Sequence, residues 1–459
     1  MNRNEITGNT GVLGLIGNPV RHTLSPLIHN TLSEELGLDL RYLPFSVEQD
    51  PIAAVRGAFA LGIRGLNVTV PHKMAVMEAL SDIDEMARII GAVNTLVRTE
   101  NGFKGFNTDM PGLGRALAVR GISLKGQQVI VLGAGGASRA VCTLALSEGA
   151  EQVWLLNRTI EKAETLAADL NRHFDGERLI PLAATDWNRV PEKPSVFLQC
   201  TSLGLHEGEG LLIEDPAFYK RATYGYDLIY NPAVTPFLSR LMEMDIPCDN
   251  GLSMLLYQGI IAYELWTGER VSQELADRVM TRLKRRLYGE NLVLVGYMGS
   301  GKSTVGQALA EKSRRAFLDT DAAIEEAEGC SIREIFEERG EEAFRNMETG
   351  LLRRLADSAV NTVIATGGGI VLRKENRELL KKIGRVIWLK AMPEETMSRV
   401  KNDAGRPLLD SASEQELYDK ICRMLRERGP AYEAAADEVL LTDGRTVGEI
   451  VHEIIDPVI

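Results

Sequence analysis

The chain has 459 residues, more than one ordinary hydrophobic core accommodates, so two or three domains are expected. Its 44% hydrophobic and 25% charged content is that of a soluble globular protein, and no apolar run approaches the roughly 18 residues of a membrane span. A net charge of −12 argues against nucleic acid as a partner, and any anionic substrate must be held by local Arg, Lys or helix N-termini. The N-terminal stretch MNRNEITGNT lacks an apolar signal core. Cysteines at 142, 200, 248, 330 and 422 have neither disulfide-framework nor metal-knuckle spacing; they read as small buried hydrophobes in a reducing cytoplasm.

Short β-branched runs alternate with helical patterns almost throughout, which predicts α/β domains with parallel sheets. GVLGLIG, LRYLPFSV and IRGLNVTV read as strands of a first unit. The segment 107–114 breaks the pattern and leads through a helix into QQVIVLGAGG, a strand running into a glycine turn. WLLNRT, FLQCTS and YGYDLIY continue that second sheet, and 251–287 reads as helical, returning to the first unit. A short charged passage, RLKRRLYGE, then leads into NLVLVGYMGSGKST, a fresh strand, loop and helix. No internal repeat or Gly/Ser tether is visible.

Several side chains stand where chemistry is expected. Lys73 lies just past a strand end, and Asp109 where the first unit passes into the second. A lysine amine is a poor proton shuttle near neutrality unless burial or an acidic neighbour perturbs it, so the two form a candidate pair, although both residue types are common at loop ends. The turn Gly133-Ala134-Gly135-Gly136-Ala137 approximates a dinucleotide fingerprint, with Ser138 in the third glycine position. The next strand ends in Asn157-Arg158-Thr159 rather than an acidic residue; no carboxylate repels a 2′-phosphate and an arginine stands ready for it, which favours NADP(H) over NAD(H). Gly296 to Ser303 fits G-x4-G-K-[ST] between an apolar strand and a helix, so Lys302 is expected on the β- and γ-phosphates and Ser303 on Mg2+. Asp319 and Asp321 read as two carboxylates pointing the same way from a strand, one toward metal and one toward an acceptor hydroxyl; capping of a helix near Ala322 is the alternative.

The ordered motifs Gly17-Asn18-Pro19, Thr23-Leu24-Ser25-Pro26, NVTVPHK, Gly91-Ala92-Val93-Asn94-Thr95, NTD, GAGGASRA, NRT, Tyr226-Asp227-Leu228-Ile229-Tyr230 and Gly251–Gln258 resemble the shikimate dehydrogenase family over about residues 10–287. The resemblance implies a substrate-binding domain at 1–110 completed by helices at about 246–287, and a Rossmann-like NADP domain at 111–245. It makes Lys73 and Asp109 the catalytic pair and assigns Thr23, Ser25, Thr69, Asn94, Tyr230 and Gln258 to the substrate. Gly133, Gly135, Gly136, Ala137, Asn157, Arg158, Thr159 and Gly251 fall to the cofactor. His22 and His72 read as structural or orienting, because Lys73 fills the proton role. Thr23 stands where the family usually has serine; its added methyl narrows the carboxylate end of the pocket and bears on shikimate against quinate.

The last third resembles shikimate kinase over 290–459, through the phosphate loop, Asp319-Thr320-Asp321, Phe344-Arg345-Asn346-Met347-Glu348, Gly367-Gly368-Gly369, Arg406-Pro407-Leu408-Leu409 and Arg428-Gly429-Pro430-Ala431-Tyr432. This implies a P-loop kinase domain with a parallel sheet. Gly299, Ser300, Gly301, Lys302, Ser303 and Thr304 would hold ATP, and Ser303 and Asp319 the Mg2+. Asp321 would contact and deprotonate the acceptor hydroxyl. Arg345 and Arg428 would grip the substrate carboxylate beside Gly368 and Gly369, with Arg399 against adenine and Arg406 on a lid over 401–413. Together the two halves imply one cytoplasmic enzyme that reduces 3-dehydroshikimate and phosphorylates the resulting shikimate. A metabolite-sensing regulatory protein built from the same domains is the alternative, and it should have lost these catalytic side chains. The oligomeric state is not legible.

Overall fold

The computed structural model describes residues 6–206, 208–400 and 413–455. Arg406 and most of the predicted 401–413 lid lie outside them. The chain divides into two compact units, one ending at Leu283 and one beginning at Lys284. Among the described residues no helix is long and apolar enough to cross a membrane.

The first unit contains two sheets. One is formed by β1 (Gly11–Gly17), β2 (Leu40–Ser46), β3 (Gly65–Val68), β4 (Asp82–Ile83), β5 (Thr95–Thr99) and β6 (Gly102–Phe106). Their order is β2-β1-β3-β5-β6-β4. The apolar runs of β1 and β3 are buried nearly throughout, as interior parallel strands require. This sheet is mixed rather than purely parallel: β5 runs antiparallel to β3 and β6. The β5–β6 pairing is a local hairpin, in which Glu100 and Asn101 make the turn and Gly102, at φ 145°, opens β6 opposite Thr99.

The other sheet holds β7 (Gln128–Leu132), β8 (Gln152–Asn157), β9 (Leu179–Ala183), β10 (Ser195–Gln199), β11 (Ala222–Asp227) and β12 (Cys248–Asp249). It is parallel throughout, in the order β12-β11-β10-β7-β8-β9. This is the doubly wound arrangement, and its strand order reverses beside β7, where the crevice for a dinucleotide opens. Ile130, Leu156, Phe197 and Phe218 form part of its core. The YGYDLIY strand ends earlier than predicted, at Asp227, because that buried carboxylate accepts from Ile229 N (2.9 Å) and Thr235 Oγ1 (2.6 Å) and folds the chain back. The two sheets are joined by the helices Asp109–Val119 and Leu252–Thr267, which pack on each other. They approach closely at Gly112, where a Cβ would lie 2.7 Å from the Gln258 side chain.

The second unit carries β13 (Leu292–Val295), β14 (Ala316–Asp319), β15 (Thr362–Ala365), β16 (Arg385–Lys390) and β17 (Glu438–Leu441). They form a parallel sheet in the order β14-β15-β13-β16-β17. Val293, Ile364, Val386 and Trp388 build the core on one side, with Leu294, Val363 and Ile387 on the other. All five cysteines are free, but only Cys142 is buried; the other four are partly exposed, contrary to the expectation of burial.

Candidate active sites

In the first unit Lys73 follows β3 and Asp109 opens the helix Asp109–Val119. Lys73 Nζ donates to Asp109 Oδ2 at 2.5 Å, and Asn94 Nδ2 donates to Asp109 Oδ1 at 2.9 Å. Both oxygens of the carboxylate are therefore held. Asn94 is fixed in turn, its Oδ1 accepting from Thr108 N at 2.7 Å and from the Thr108 hydroxyl at 3.1 Å. Behind it Asn67, buried in β3, donates to the Asn94 carbonyl and to Thr95 Oγ1, and accepts from Tyr42 Oη. Lys73 and Asp109 keep side-chain exposures of 30% and 23%, so the pair is open enough to meet a substrate. Thr23 and Ser25 are joined through their hydroxyls at 3.2 Å, and Thr69 stands on the stretch that leads to Lys73. Gln258, on the helix Leu252–Thr267, reaches the cluster through Thr108 at 3.5 Å. Tyr230 is half-buried beyond β11, its phenol pushed up by burial. His72 contacts the Val47 carbonyl through Nε2 at 2.7 Å, in keeping with a structural role, and His22 is exposed.

At the switch point of the second sheet a cleft of about 810 Å3 is lined by Gly133, Ala134, Gly135, Asn157, Arg158 and Thr159, with Lys162 beside them. Asn157 binds the glycine turn itself, accepting from Ala134 N at 3.2 Å. Arg158 is exposed on the lining of this cleft, at a strand end, Asn157-Arg158-Thr159, whose sequence carries no carboxylate. Ser138 is buried and its hydroxyl accepts from Gly135 N at 3.1 Å, which closes the turn where a third glycine is usual. A dinucleotide with a 2′-phosphate fits this donor set. Gly251 caps the helix Leu252–Thr267 against Leu228, whose carbonyl oxygen would lie 2.0 Å from a Cβ.

In the second unit a cavity of about 720 Å3 is lined by Gly299, Gly301, Lys302, Ser303, Thr304, Asp319, Asp321, Arg345, Gly368, Gly369, Arg399 and Arg428. Gly299 and Gly301 adopt φ of 77° and 88°, the left-handed conformations that a loop wrapped round a phosphate needs. Lys302 Nζ donates to the Tyr297 carbonyl at 3.0 Å, and the Ser300 hydroxyl is buried without a partner among the described residues. Ser303 Oγ donates to Asp319 Oδ2 at 2.7 Å, so two hard oxygen ligands converge where Mg2+ is expected. The two acidic residues do not share a strand, however. β14 ends at Asp319, which caps the following helix through Asp321 N (3.0 Å) and Ala322 N (3.4 Å), while Asp321 sits in the first helical turn. Burial, then the neighbouring Asp319, pushes the Asp321 carboxyl up to about 6 against the pull of Lys302 and Arg345. Its Oδ1 is buried with no hydrogen-bond partner among the described residues.

The family models match in two blocks. The shikimate dehydrogenase substrate binding domain matches at 15–96, Shikimate / quinate 5-dehydrogenase at 116–188, the shikimate 5'-dehydrogenase C-terminal domain at 251–280, and shikimate kinase at 298–458. The chain is 40% identical over 271 residues to a shikimate dehydrogenase (NADP(+)) of Caldanaerobacter subterraneus, covering 58% of this chain and 94% of that one. The chain belongs to the shikimate dehydrogenase family. Two solved structures are similar to it. A shikimate 5-dehydrogenase from Listeria monocytogenes in complex with shikimate and NAD has a TM-score of 0.57 and 31% identity, over 61% of this chain and 98% of its own. Another from Thermus thermophilus, in complex with NADP(H) and shikimate, has a TM-score of 0.52 and 33% identity, over 59% and 99%. With the kinase match, the chain is a bifunctional enzyme of the shikimate pathway, a shikimate dehydrogenase using NADP and a shikimate kinase using ATP. The regulatory alternative gives way to this.

The dehydrogenase half also uses residues that sequence reasoning passed over. Asn67 opens the NVTVPHK motif, and a polar residue in an apolar strand was the signal for it. In the kinase half Glu348 is fully buried and pairs with Arg345 at 2.8 Å, an i,i+3 spacing visible in the sequence. Arg345 lies against Gly369, where a Cβ would meet its guanidinium at 2.4 Å. Tyr432 Oη donates to the Gly368 carbonyl, a contact between distant segments. Arg428 lies over the Tyr297 ring, and Arg399 is held by Glu395, Gly299 O and Thr442 on the flank of the phosphate loop.

Proposed function

We propose that the first site reduces 3-dehydroshikimate to shikimate with NADPH, and that the second phosphorylates shikimate to shikimate 3-phosphate with ATP and Mg2+. The observation that carries the first reading is the Lys73–Asp109–Asn94 chain. NADPH supplies the hydride to the ketone carbon. Lys73 Nζ hands a proton to the oxygen that gains charge, and Asp109 keeps the amine aimed at that atom. Thr23, Ser25, Thr69, Tyr230 and Gln258 are small neutral donors suited to a polyol whose hydroxyls must each find a partner once buried. Gly133, Gly135, Gly136, Ala137, Asn157, Thr159 and Gly251 shape the dinucleotide crevice, and Arg158 takes the 2′-phosphate.

In the kinase, Asp321 receives the proton of the attacking hydroxyl, a role suited to a carboxyl raised to about 6. Lys302 and the loop from Gly299 to Thr304 hold the phosphates, Ser303 and Asp319 the metal, and Arg345 and Arg428 the substrate carboxylate. ATP and Mg2+ supply the phosphoryl group and screen its charge. The domain limits 1–110 with 246–287, 111–245 and 290–459 belong to this proposal, as does a cytoplasmic location with small molecules rather than nucleic acid as partners.

The test is incubation of the purified chain with 3-dehydroshikimate, NADPH, ATP and Mg2+, following NADPH loss and phosphorylated product. Loss of NADPH followed by phosphate transfer to the reduced product supports the reading; failure of either step removes that half. Shikimate and quinate run separately with NADP+ test the Thr23 pocket, and equal rates would remove the preference for shikimate.

A further inference from the structure

Arg139 has no role in either reaction as described above. It lies in the first turns of the helix Gly136–Ser147, directly after the glycine turn of the nucleotide cleft. Its guanidinium reaches across to the substrate-binding sheet's own helix, Glu85–Ile90. There Nε and Nη2 both donate to the Ile89 carbonyl, at 3.1 and 2.6 Å. Behind it Nη2 pairs with Asp169, near the end of the helix Ile160–Leu170, and Arg139 holds that carboxyl below its usual range. A surface ion pair would end on the carboxylate. This one also saturates a carbonyl at the end of a helix that carries no other part of the nucleotide cleft.

The segment just after Ile89 gives the contact its meaning. The helix stops at Gly91, in the left-handed conformation, and the chain enters the loop that organises the catalytic pair. The Ala92 carbonyl accepts from Asn107 Nδ2 at 3.0 Å. Val93 N donates to the Lys73 carbonyl at 3.0 Å, and Asn94 Nδ2 holds Asp109. The same short segment therefore carries the backbone of Lys73 and the side chain that orients Asp109. Its near end is clamped to the helix that begins at the dinucleotide turn.

We infer that Arg139 is a positioning residue that fixes the dinucleotide turn in register with the Gly91–Asn94 loop, and so sets the approach of the hydride donor to the ketone carbon. This rests on the proposed reduction at the Lys73–Asp109 site. A planar fork with two donors on one acceptor and an acid behind it resists rotation in a way that a lysine does not. Because the reacting atoms must meet at van der Waals range, a small loss of register costs turnover more than binding.

The experiment compares full-length wild type, Arg139→Ala, Arg139→Gln and Asp169→Asn, alone and in the Arg139→Ala background. Steady-state reduction of 3-dehydroshikimate is measured with NADPH and with NADPH deuterated at the transferred position, alongside NADPH affinity by fluorescence titration. Arg139→Ala and Arg139→Gln should lose roughly 10- to 100-fold in kcat. KM for the keto-acid and affinity for NADPH should stay near wild type, and the deuterium effect on kcat should grow as hydride transfer becomes limiting. Added guanidinium ion should restore part of the Arg139→Ala rate and leave wild type unchanged. Asp169→Asn should show a smaller loss that disappears in the Arg139→Ala background. An unchanged kcat and deuterium effect in both Arg139 variants overturns the inference, as does a loss confined to NADPH affinity. A wild-type chain that fails to oxidise NADPH with this substrate overturns the proposed reduction itself, and the two failures are distinguishable.

Discussion

Replacing Asp321 by Asn should silence the kinase and stabilise it at the same time. In the folded chain burial, then the neighbouring Asp319, raises the carboxyl to about 6, and one of its oxygens has no hydrogen-bond partner among the described residues. A rise of about two pH units over a free carboxyl, at ~1.4 kcal/mol per unit, corresponds to a cost of up to about 3 kcal/mol for holding the ionised form in place. The sign follows from proton linkage. Between pH of about 4 and about 6 the unfolded chain has released this proton and the folded chain still keeps it, so stability falls across that window and stays at the lower level above it. Asparagine cannot ionise and removes the fall. Native-state hydrogen exchange on the ligand-free full chain, read in peptides covering β13 and β15, separates this unit from the other. The variant should gain up to about 3 kcal/mol in opening free energy at slightly alkaline pH and almost nothing near pH 4. Its phosphorylation rate should fall by at least roughly 100-fold. A variant no more stable than wild type at alkaline pH, or a gain of equal size at both pH values, refutes the reasoning.

Four other outcomes are expected. Wild-type kinase kcat/KM should fall about tenfold per pH unit below about 6, as Asp321 takes up its proton; a profile flat through that region removes the residue as base. Asp109→Asn should lower NADPH-dependent reduction by roughly 100- to 10,000-fold while phosphorylation by the same preparation is unchanged, both followed by absorbance. Arg158→Ser should cost roughly 10- to 100-fold in kcat/KM for NADPH against NADH, the range of a charged hydrogen bond, and an unaltered ratio would exclude contact with the 2′-phosphate. Gly251→Ala should destabilise the first unit by about 1–3 kcal/mol in thermal unfolding, because its Cβ would sit 2.0 Å from the Leu228 carbonyl oxygen.

What the sequence made legible was short-range. The phosphate loop works through consecutive backbone N–H groups and a lysine at fixed spacing, and the glycine turn with Asn157-Arg158 needs only one strand–turn–helix and the next strand end. The doubly wound sheet followed from the alternation of apolar runs and helices. Contacts between distant segments stayed hidden. That Asp321 is buried depends on Gly367, which lies just past a strand remote in the chain; a Cβ on Gly367 would lie 2.4 Å from Asp321 Oδ1. Asp319 and Asp321 were read as strand neighbours, with capping of a helix near Ala322 as the alternative. Alternation alone does not decide between them, and it is the alternative that the structure shows, Asp319 ending the strand by capping the helix. The antiparallel β5–β6 hairpin was signalled by Asn101-Gly102 and overlooked beneath a dominant parallel pattern.

In the proposed reactions the two sites handle a proton by opposite means, and the difference comes from where each carboxylate finds its partners. Asp109 opens a helix with both oxygens already taken, one by Lys73 and one by Asn94, so its negative charge is matched before a substrate arrives. Such a group serves best as a fixed orienter of the lysine amine. Asp321 also begins a helix, but Asp319 has taken the backbone donors there, and burial leaves one of its own oxygens without a hydrogen bond among the described residues. A carboxylate denied donors in the free enzyme gains most when a substrate hydroxyl supplies one, and its raised affinity for a proton then favours taking that proton as the oxygen attacks. Reduction, which ends with a proton given to substrate, is thus matched to a charged pair, and phosphorylation, which begins with one removed, to a carboxylate kept short of partners.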